Sequence, residues 1–442
     1  MPQPNAPFRL IAGLTLAAGS AWLIGCGAGP ASSASPAGGA IIAVSDGDLV
    51  GTAFADGLLF GRDGDISRQR ADALTVIALP LPEPGEEGAS ARFAQIEVMN
   101  SVLGAPRSVA MSRDGNDVFV LATRGRAASS AKEMRDLPGM GLITRVDLSS
   151  PMSPRIAGRL DLGRGVTTIS LHPSGDLLAA LRNTSDGLAL DFVDVSGGGD
   201  PRLISTAPLR NIQPGAGVGA GTVAFSPSGD AIAVTVLGHD AVAFYNFERS
   251  GDGVAVWASG EPVGVGNFPY VGSWAPNGWF FITADLMWGD ASTHDIENAP
   301  QGSVSVVRFG GGSGGHGHVV SAFVGQSPEG LAVSPRGDMI ATGNIGMSFL
   351  YEDDHRYTRG GTITLLSFNS ETGEAMAAGE WPTGAAPQGL TFDATGGHLL
   401  VNDFESGAVQ VWRTQAGDRP SLRFTGVRVG VGRGVHAVLV KP

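Results

Sequence analysis

The chain has 442 residues, 67 of them glycine, with 16% charged residues and a formal net charge of −13. With lysine scarce and acid in excess, it lacks the basic face that nucleic acid or an anionic lipid surface requires, so neither is expected as a partner. A single cysteine excludes an internal disulfide, and abundant glycine with few charges suits short strands joined by tight turns.

The N-terminus carries one basic residue, Arg9, ahead of an apolar run over 10–25. About sixteen residues falls short of the roughly 20 needed for a bilayer-spanning helix. A charged start, an apolar middle and a small-residue end are the layout of an export signal. Leu23-Ile24-Gly25-Cys26 resembles the bacterial lipobox, which implies cleavage before Cys26 and acylation of that residue. The alternatives are a plain secretory signal with an incidental cysteine, or an uncleaved anchor. Residues 27–38 are Gly, Ala, Ser and Pro and read as a flexible tether. The expected organisation is a signal peptide over 1–25, an acylated Cys26 with linker to 38, and one folded domain over 39–442. That domain would face the periplasm or the cell exterior, with the membrane as partner through the lipid anchor.

Beyond the tether one pattern recurs, an apolar stretch closed by Pro, Gly or Asp punctuation. It appears as RSVAMSRDG from Arg107, TTISLHPSGD from Thr167, GTVAFSPSGD from Gly221, YVGSWAPNG from Tyr270, EGLAVSPRGD from Glu329 and QGLTFDATGG from Gln388. A shortened copy, HAVLVKP, starts at His436. Steps from Arg113 through Pro173, Pro227, Pro276 and Pro335 to Ala394 are 60, 54, 49, 59 and 59 residues. Periods of this size, each holding several strands, belong to propeller blades rather than helical solenoids. In the Glu329 copy the four strands start at Leu331, Met339, Gly361 and Ala375, and no useful amphipathic helix appears after residue 40. The chain therefore reads as all-β, a seven-bladed β-propeller of four-stranded antiparallel blades. The last copy lacks three strands, and segments 40–45, 74–79 and 92–98 supply them. Pairing the two termini in one blade removes the open edges of the ring. A pair of sandwiches, or an eighth partial blade from 49–70, are the alternatives.

The units SPRGDMIATGNIG and DATGGHLLVNDFESGAVQVWRT resemble the YVTN-type repeats of seven-bladed propellers. That superfamily includes lactonase-like proteins, surface-layer proteins and the haem d1 domain of nitrite reductase. The resemblance covers the whole mature chain and implies the fold; fold likeness alone does not transfer chemistry. Eight scattered histidines do not form the dense set that a haem or multicopper propeller requires.

In a propeller the first residue of each innermost strand sits at one channel mouth. The copies place Arg107, Thr167, Gly221, Tyr270, Glu329, Gln388 and His436 there, with a second ring of Asp46, Ala122, Arg182, Val236, Asp285, Asn344 and Asp403. Polar members gather in blades five, six, seven and the closing blade. Tyr270, Asp285, Asn344, Gln388 and Asp403 are thus candidate ligand contacts. Asp285, Glu329 and Asp403 offer carboxylate oxygens to a divalent cation such as calcium. Glu329, His436 and Arg356 are candidates for acid–base work on a substrate; ordered water filling a polar mouth is the alternative. Long insertions over 48–71, 124–141, 286–302 and 345–360 fall between second and third strands, hence on the same face. Those over 286–302 and 345–360 add His294 and His355 as candidate ligand contacts. Two functions follow: a membrane-tethered binding or scaffold module that holds a protein, glycan or small molecule on this face, or a lactonase-like hydrolase or isomerase at the channel mouth. Arg107 lies far around the ring from Glu329, so the second reading calls on Arg356.

Overall fold

The computed structural model of the protein describes residues 35–82, 90–103, 107–212, 219–251, 253–289 and 295–442. Cys26 and the export signal lie outside these residues, as does His294.

Seven small antiparallel sheets form a ring, a seven-bladed β-propeller. Blade 6 is representative, running outward from the channel through Pro328–Val333, Met339–Asn344, Thr362–Phe368 and Ala375–Pro382. Position within a blade dictates the sequence pattern. Second strands such as Ala231–Val236 and Met339–Asn344 are buried at every residue because both faces pack on neighbouring blades. The outermost strand Phe93–Glu97 instead alternates with solvent.

The recurring punctuation is the hairpin from first to second strand. Its glycines adopt left-handed φ, for example 79° at Gly229 and 67° at Gly337, a region open to glycine at no steric cost. In blades 4 and 6 the serine before the turn holds it closed. Ser334 Oγ donates to Asp338 (2.6 Å) and accepts from the Asp338 and Met339 amides; Ser226 repeats the arrangement with Asp230.

Blade 1 has no such hairpin, because its innermost strand is Val435–Lys441 and its second is Ala40–Ser45. The two pair antiparallel from Ala40 opposite Lys441 to Val44 opposite Ala437. The Gly39 amide donates to the Lys441 carbonyl at 2.8 Å in place of the missing turn. Lys441, 9% exposed, then crosses to blade 2, where Nζ donates to Gly115 O, Asn116 Oδ1 and Leu148 O at 3.0, 2.6 and 3.2 Å.

The insertions between second and third strands fold onto one another as a cap with its own apolar core. Leu49, Leu59 and Phe60 meet Ala127 and Leu137 from one neighbour and Met347, Phe349 and Leu350 from the other, over Ala386 and Phe404. Main-chain bonds join two of them, Leu59 N to Lys132 O and Met134 N to Gly57 O.

Deleting 435–442 is expected to abolish soluble, cooperatively unfolding protein, because it strips the innermost strand from blade 1. Lys441→Ala should keep the fold but leave three acceptors unsatisfied. It is expected to cost about 1–3 kcal/mol, measured by urea denaturation at unchanged m-value.

Candidate functional site

Two backbone irregularities build the channel mouth. Thr167, Tyr270, Glu329 and His436 are each skipped in the pairing of first with second strand, so each is the extra residue of a β-bulge. Bulges re-aim a side chain out of the ladder. Two residues upstream the chain turns through left-handed φ: 60° at Phe268, 53° at Ser327 and 42° at Ala386, ahead of Tyr270, Glu329 and Gln388. Blade 3, whose innermost strand is Val166–Leu171, and blade 1 use Gly165 and Gly434 at this point. Non-glycine residues held there cost on the order of 1–3 kcal/mol each and persist only where the surroundings impose them. The cap helps to impose them, since Trp288 Nε1 donates to Ser327 Oγ at 2.9 Å and the Ala386 amide donates to Ser348 Oγ at 3.0 Å.

These kinks bring Tyr270, Glu329 and Gln388 together. Gln388 Nε2 donates to Glu329 Oε2, while Gln388 Oε1, also buried, has no hydrogen-bond partner. Glu329 is 5% exposed, and burial pushes its carboxyl up to about 7, against the lowering pull of the Gln388 bond. The Tyr270 phenol is raised well above its ordinary value by burial and by the charge of Glu329. Gln388 also lines a channel cavity of about 190 Å³, otherwise walled mainly by Val109, Val271, Leu331, Leu390 and Ala437. Arg107 lines the same cavity. Burial lowers its guanidinium to about 10, with no charged neighbour offsetting the effect. Arg107 and Gln388, from blades on different sides of the ring, thus line one space, which Glu329 itself does not line.

The other candidates are placed elsewhere. Asp285 accepts from Thr283, Ser303 and Ser305 hydroxyls at 2.7, 2.9 and 2.7 Å within its own blade. In blade 6 Asn344 Oδ1 accepts from the Thr342 hydroxyl, and its Nδ2 donates to the Thr362 and Thr364 hydroxyls. Asp403 accepts from the Ala385 and Ser406 amides and faces Arg428 at 3.4 Å. Among the described residues no three His, Cys, Asp or Glu side chains converge on a point, so Asp285, Glu329 and Asp403 do not form one ligand set. His436, 1% exposed, bonds Asn100 Oδ1 through Nε2 at 2.8 Å, and burial lowers its imidazole to about 4. Neither His436 nor Arg356 therefore accompanies Glu329. Arg356 is tied to Glu297 and Asp354 on the cap, and His355 is exposed beside Asp354.

Next to His436 lies a network that joins Asp46 of the second ring to Asp72 and Asn100, which the repeat pattern did not single out. Asp72 accepts from the Gly47 and Asn100 amides, and Asp46 from the Asp48 and Val102 amides. Burial first, then the charge of Asp72 at Asp46 and of Asp48 at Asp72, raise Asp46 to about 8 and Asp72 to about 7. Asp72 and Asn100 sit in connections outside the aligned copies, which is why spacing passed over them.

No protein-family model and no curated protein sequence matches the chain. Solved structures do match. Two are Bacteroides proteins assigned provisionally as 6-phosphogluconolactonases. That from B. fragilis has TM-score 0.63 at 12% identity, covering 91% of this chain and 97% of its own. That from B. uniformis has TM-score 0.60 at 14% identity, covering 91% and 99%. A periplasmic gluconolactonase of Pseudomonas aeruginosa has TM-score 0.59 at 14% identity, covering 90% and 98%. At such identities the likeness establishes the seven-bladed fold.

Glu329, Asp46 and Asp72 hold protons in the folded state that the unfolded chain releases near pH 4. Their contribution to stability is full below that pH and is lost as pH rises through 7 to 8. His436 acts oppositely, but only between its folded value near 4 and its unfolded value near 6.5. Above pH 6.5 the carboxyls alone remain, so Tm is expected to fall between pH 6.5 and 8.5. Glu329→Gln should make that fall shallower in calorimetry across the range.

Proposed function

We propose that the head of the channel binds a sugar lactone or the matching sugar acid, and that Glu329 opens the lactone ring by activating water. The observation that carries this reading is the cavity shared by Arg107 and Gln388, with Glu329 one hydrogen bond behind Gln388. Arg107 offers a guanidinium fork to a carbonyl or carboxylate oxygen, and Gln388 Oε1 is free to accept from a sugar hydroxyl. A carboxyl near 7 is matched to general-base work at neutral pH.

The step balances without a cofactor. Glu329 takes a proton from water as its oxygen bonds to the lactone carbonyl carbon, and Arg107 stabilises the charge gathering on the carbonyl oxygen. The ring C–O bond then breaks, and the leaving oxygen takes the proton back from Glu329, giving the hydroxy acid. Tyr270 and the apolar channel wall keep this corner poor in water and hold Glu329 in its high-pKa state. The lactonase names borne by the structural neighbours are consistent with this reading.

Glucono-1,5-lactone hydrolysis, followed above its spontaneous rate, tests it. Glu329→Gln is expected to lower kcat about 100-fold or more, and Arg107→Gln to raise KM. The rate constant kcat/KM should climb with pH through about 7 as Glu329 loses its proton. Binding of gluconate without turnover would support the capture-module reading instead. Neither binding nor turnover would overturn both.

The proposed location is outside the cytoplasm, on a lipid attached at Cys26, resting on the lipobox-like Leu23-Ile24-Gly25-Cys26. Cys26→Ser is expected to release the protein from membranes and abolish fatty-acid labelling; unchanged retention would refute the anchor.

A further inference from the structure

The cap holds a second space, separate from the channel. A crevice of about 840 Å³ opens between the insertion after Ser45 and the one after Asn344, within the roughly 300–1,000 Å³ typical of pockets for drug-sized ligands. It shares no lining residue with the channel cavity. Its floor is apolar, with Val50 and Leu350 nearly fully buried. Above them stand the Tyr351 and Tyr357 rings among charged side chains.

Those charges are not equivalent. Arg62 lies over the Tyr351 ring, 3.9 Å from its centroid, and pairs with Asp353 at 3.2 Å. Arg68 pairs with Asp63 at 2.5 Å. Glu405 is committed to the Gly51 amide. Two members are left over. Glu352 is exposed at the rim and makes no ion pair among the described residues. Arg433 is half-buried, spends one nitrogen on the Arg68 carbonyl at 2.6 Å, and makes no ion pair among the described residues. Burial is the main influence disfavouring its charge; Glu405 pulls the other way as its strongest charged neighbour, with Arg68 and Arg70 opposing it and Asp65 helping. A half-buried guanidinium that bonds only a backbone carbonyl and no carboxylate has donors left for an anion.

We infer that this crevice binds an acidic saccharide, its carboxylate on Arg433, its hydroxyls donating to Glu352, and a sugar ring lying against Tyr357. A carboxylate alone would need only the arginine. The apolar floor, the aromatic wall and a leftover acceptor together fit a ring that presents C–H groups on one face and hydroxyls at its edge. The site is independent of the channel reading and stands if that reading fails.

Calorimetric titration of the protein with an oligomer of glucuronic acid tests it, with the matching glucose oligomer and free glutamate as controls. The acidic oligomer is expected to bind at least tenfold more tightly than either control, and more weakly as salt rises. Arg433→Gln should weaken binding tenfold or more. Arg433→Lys should recover only part of it, since a point charge replaces a fork. Glu352→Gln, at an exposed position that leaves the fold untouched, should weaken binding severalfold. Glu329→Gln should leave this binding unchanged, which separates the two sites. Equal affinity for the glucose oligomer, preference for glutamate, no binding, or an Arg433→Gln variant that binds like the parent would each overturn the assignment.

Discussion

The pairing of Ala40–Ser45 with Val435–Lys441 is the constraint on which the rest of the ring depends. Every blade buries both faces against its neighbours, so an unclosed ring would expose two whole apolar sheet faces as well as their edges. Closure also completes the channel. Ala437, Val438 and Leu439 of the terminal strand form one wall of the cavity that Arg107 and Gln388 line from other blades. The backbones approach so closely there that a Cβ at Gly389 would sit 2.5 Å from the His436 carbonyl. The geometry of the candidate site is therefore a property of the closed ring and of no single blade.

Much of this was legible in the chain itself, for a physical reason. A hairpin that must pass through left-handed φ takes glycine, and a serine bonding the next turn residues recurs with it, so Ser226-Pro-Ser-Gly and Ser334-Pro-Arg-Gly mark blade beginnings at regular intervals. The same marks count residues to the channel mouth, which is how Tyr270, Glu329 and Gln388 could be placed side by side. The bulges and the non-glycine kinks at Phe268, Ser327 and Ala386 left no trace in composition, because surrounding contacts impose them. The cap core was equally hidden: Leu49, Phe60, Phe349 and Leu350 have no shared period and meet only once four insertions converge.

Polar residues at the ends of second strands looked as promising as those at the start of first strands, and the structure separates them by their partners. Asp285 and Asn344 face hydroxyls two residues apart on the adjacent strand, Ser303 and Ser305 or Thr362 and Thr364. A buried carboxylate or amide saturated in this way has little left to offer a ligand. His436 illustrates the limit of register reasoning. It is a bulge residue like Glu329, yet Asn100, carried in by the connection from blade 1 to blade 2, takes its Nε2. Where a neighbouring loop supplies a partner, the side chain belongs to the scaffold.

That contrast isolates what is unusual about the channel head. Elsewhere in the interior of this regular fold buried polar groups are largely paired, and cations such as Lys441 sit among acceptors. At one end of the channel, three neighbouring blades hold strained non-glycine residues, a carboxyl stays buried near neutrality, an amide oxygen goes unbonded, and the partly buried Arg107 guanidinium has no counter-charge. Each departure costs stability, and the non-glycine kinks are not needed to close the ring, since blades 3 and 1 make the same kink with Gly165 and Gly434. The proposal of a ligand at the channel head rests on these features collecting around one cavity.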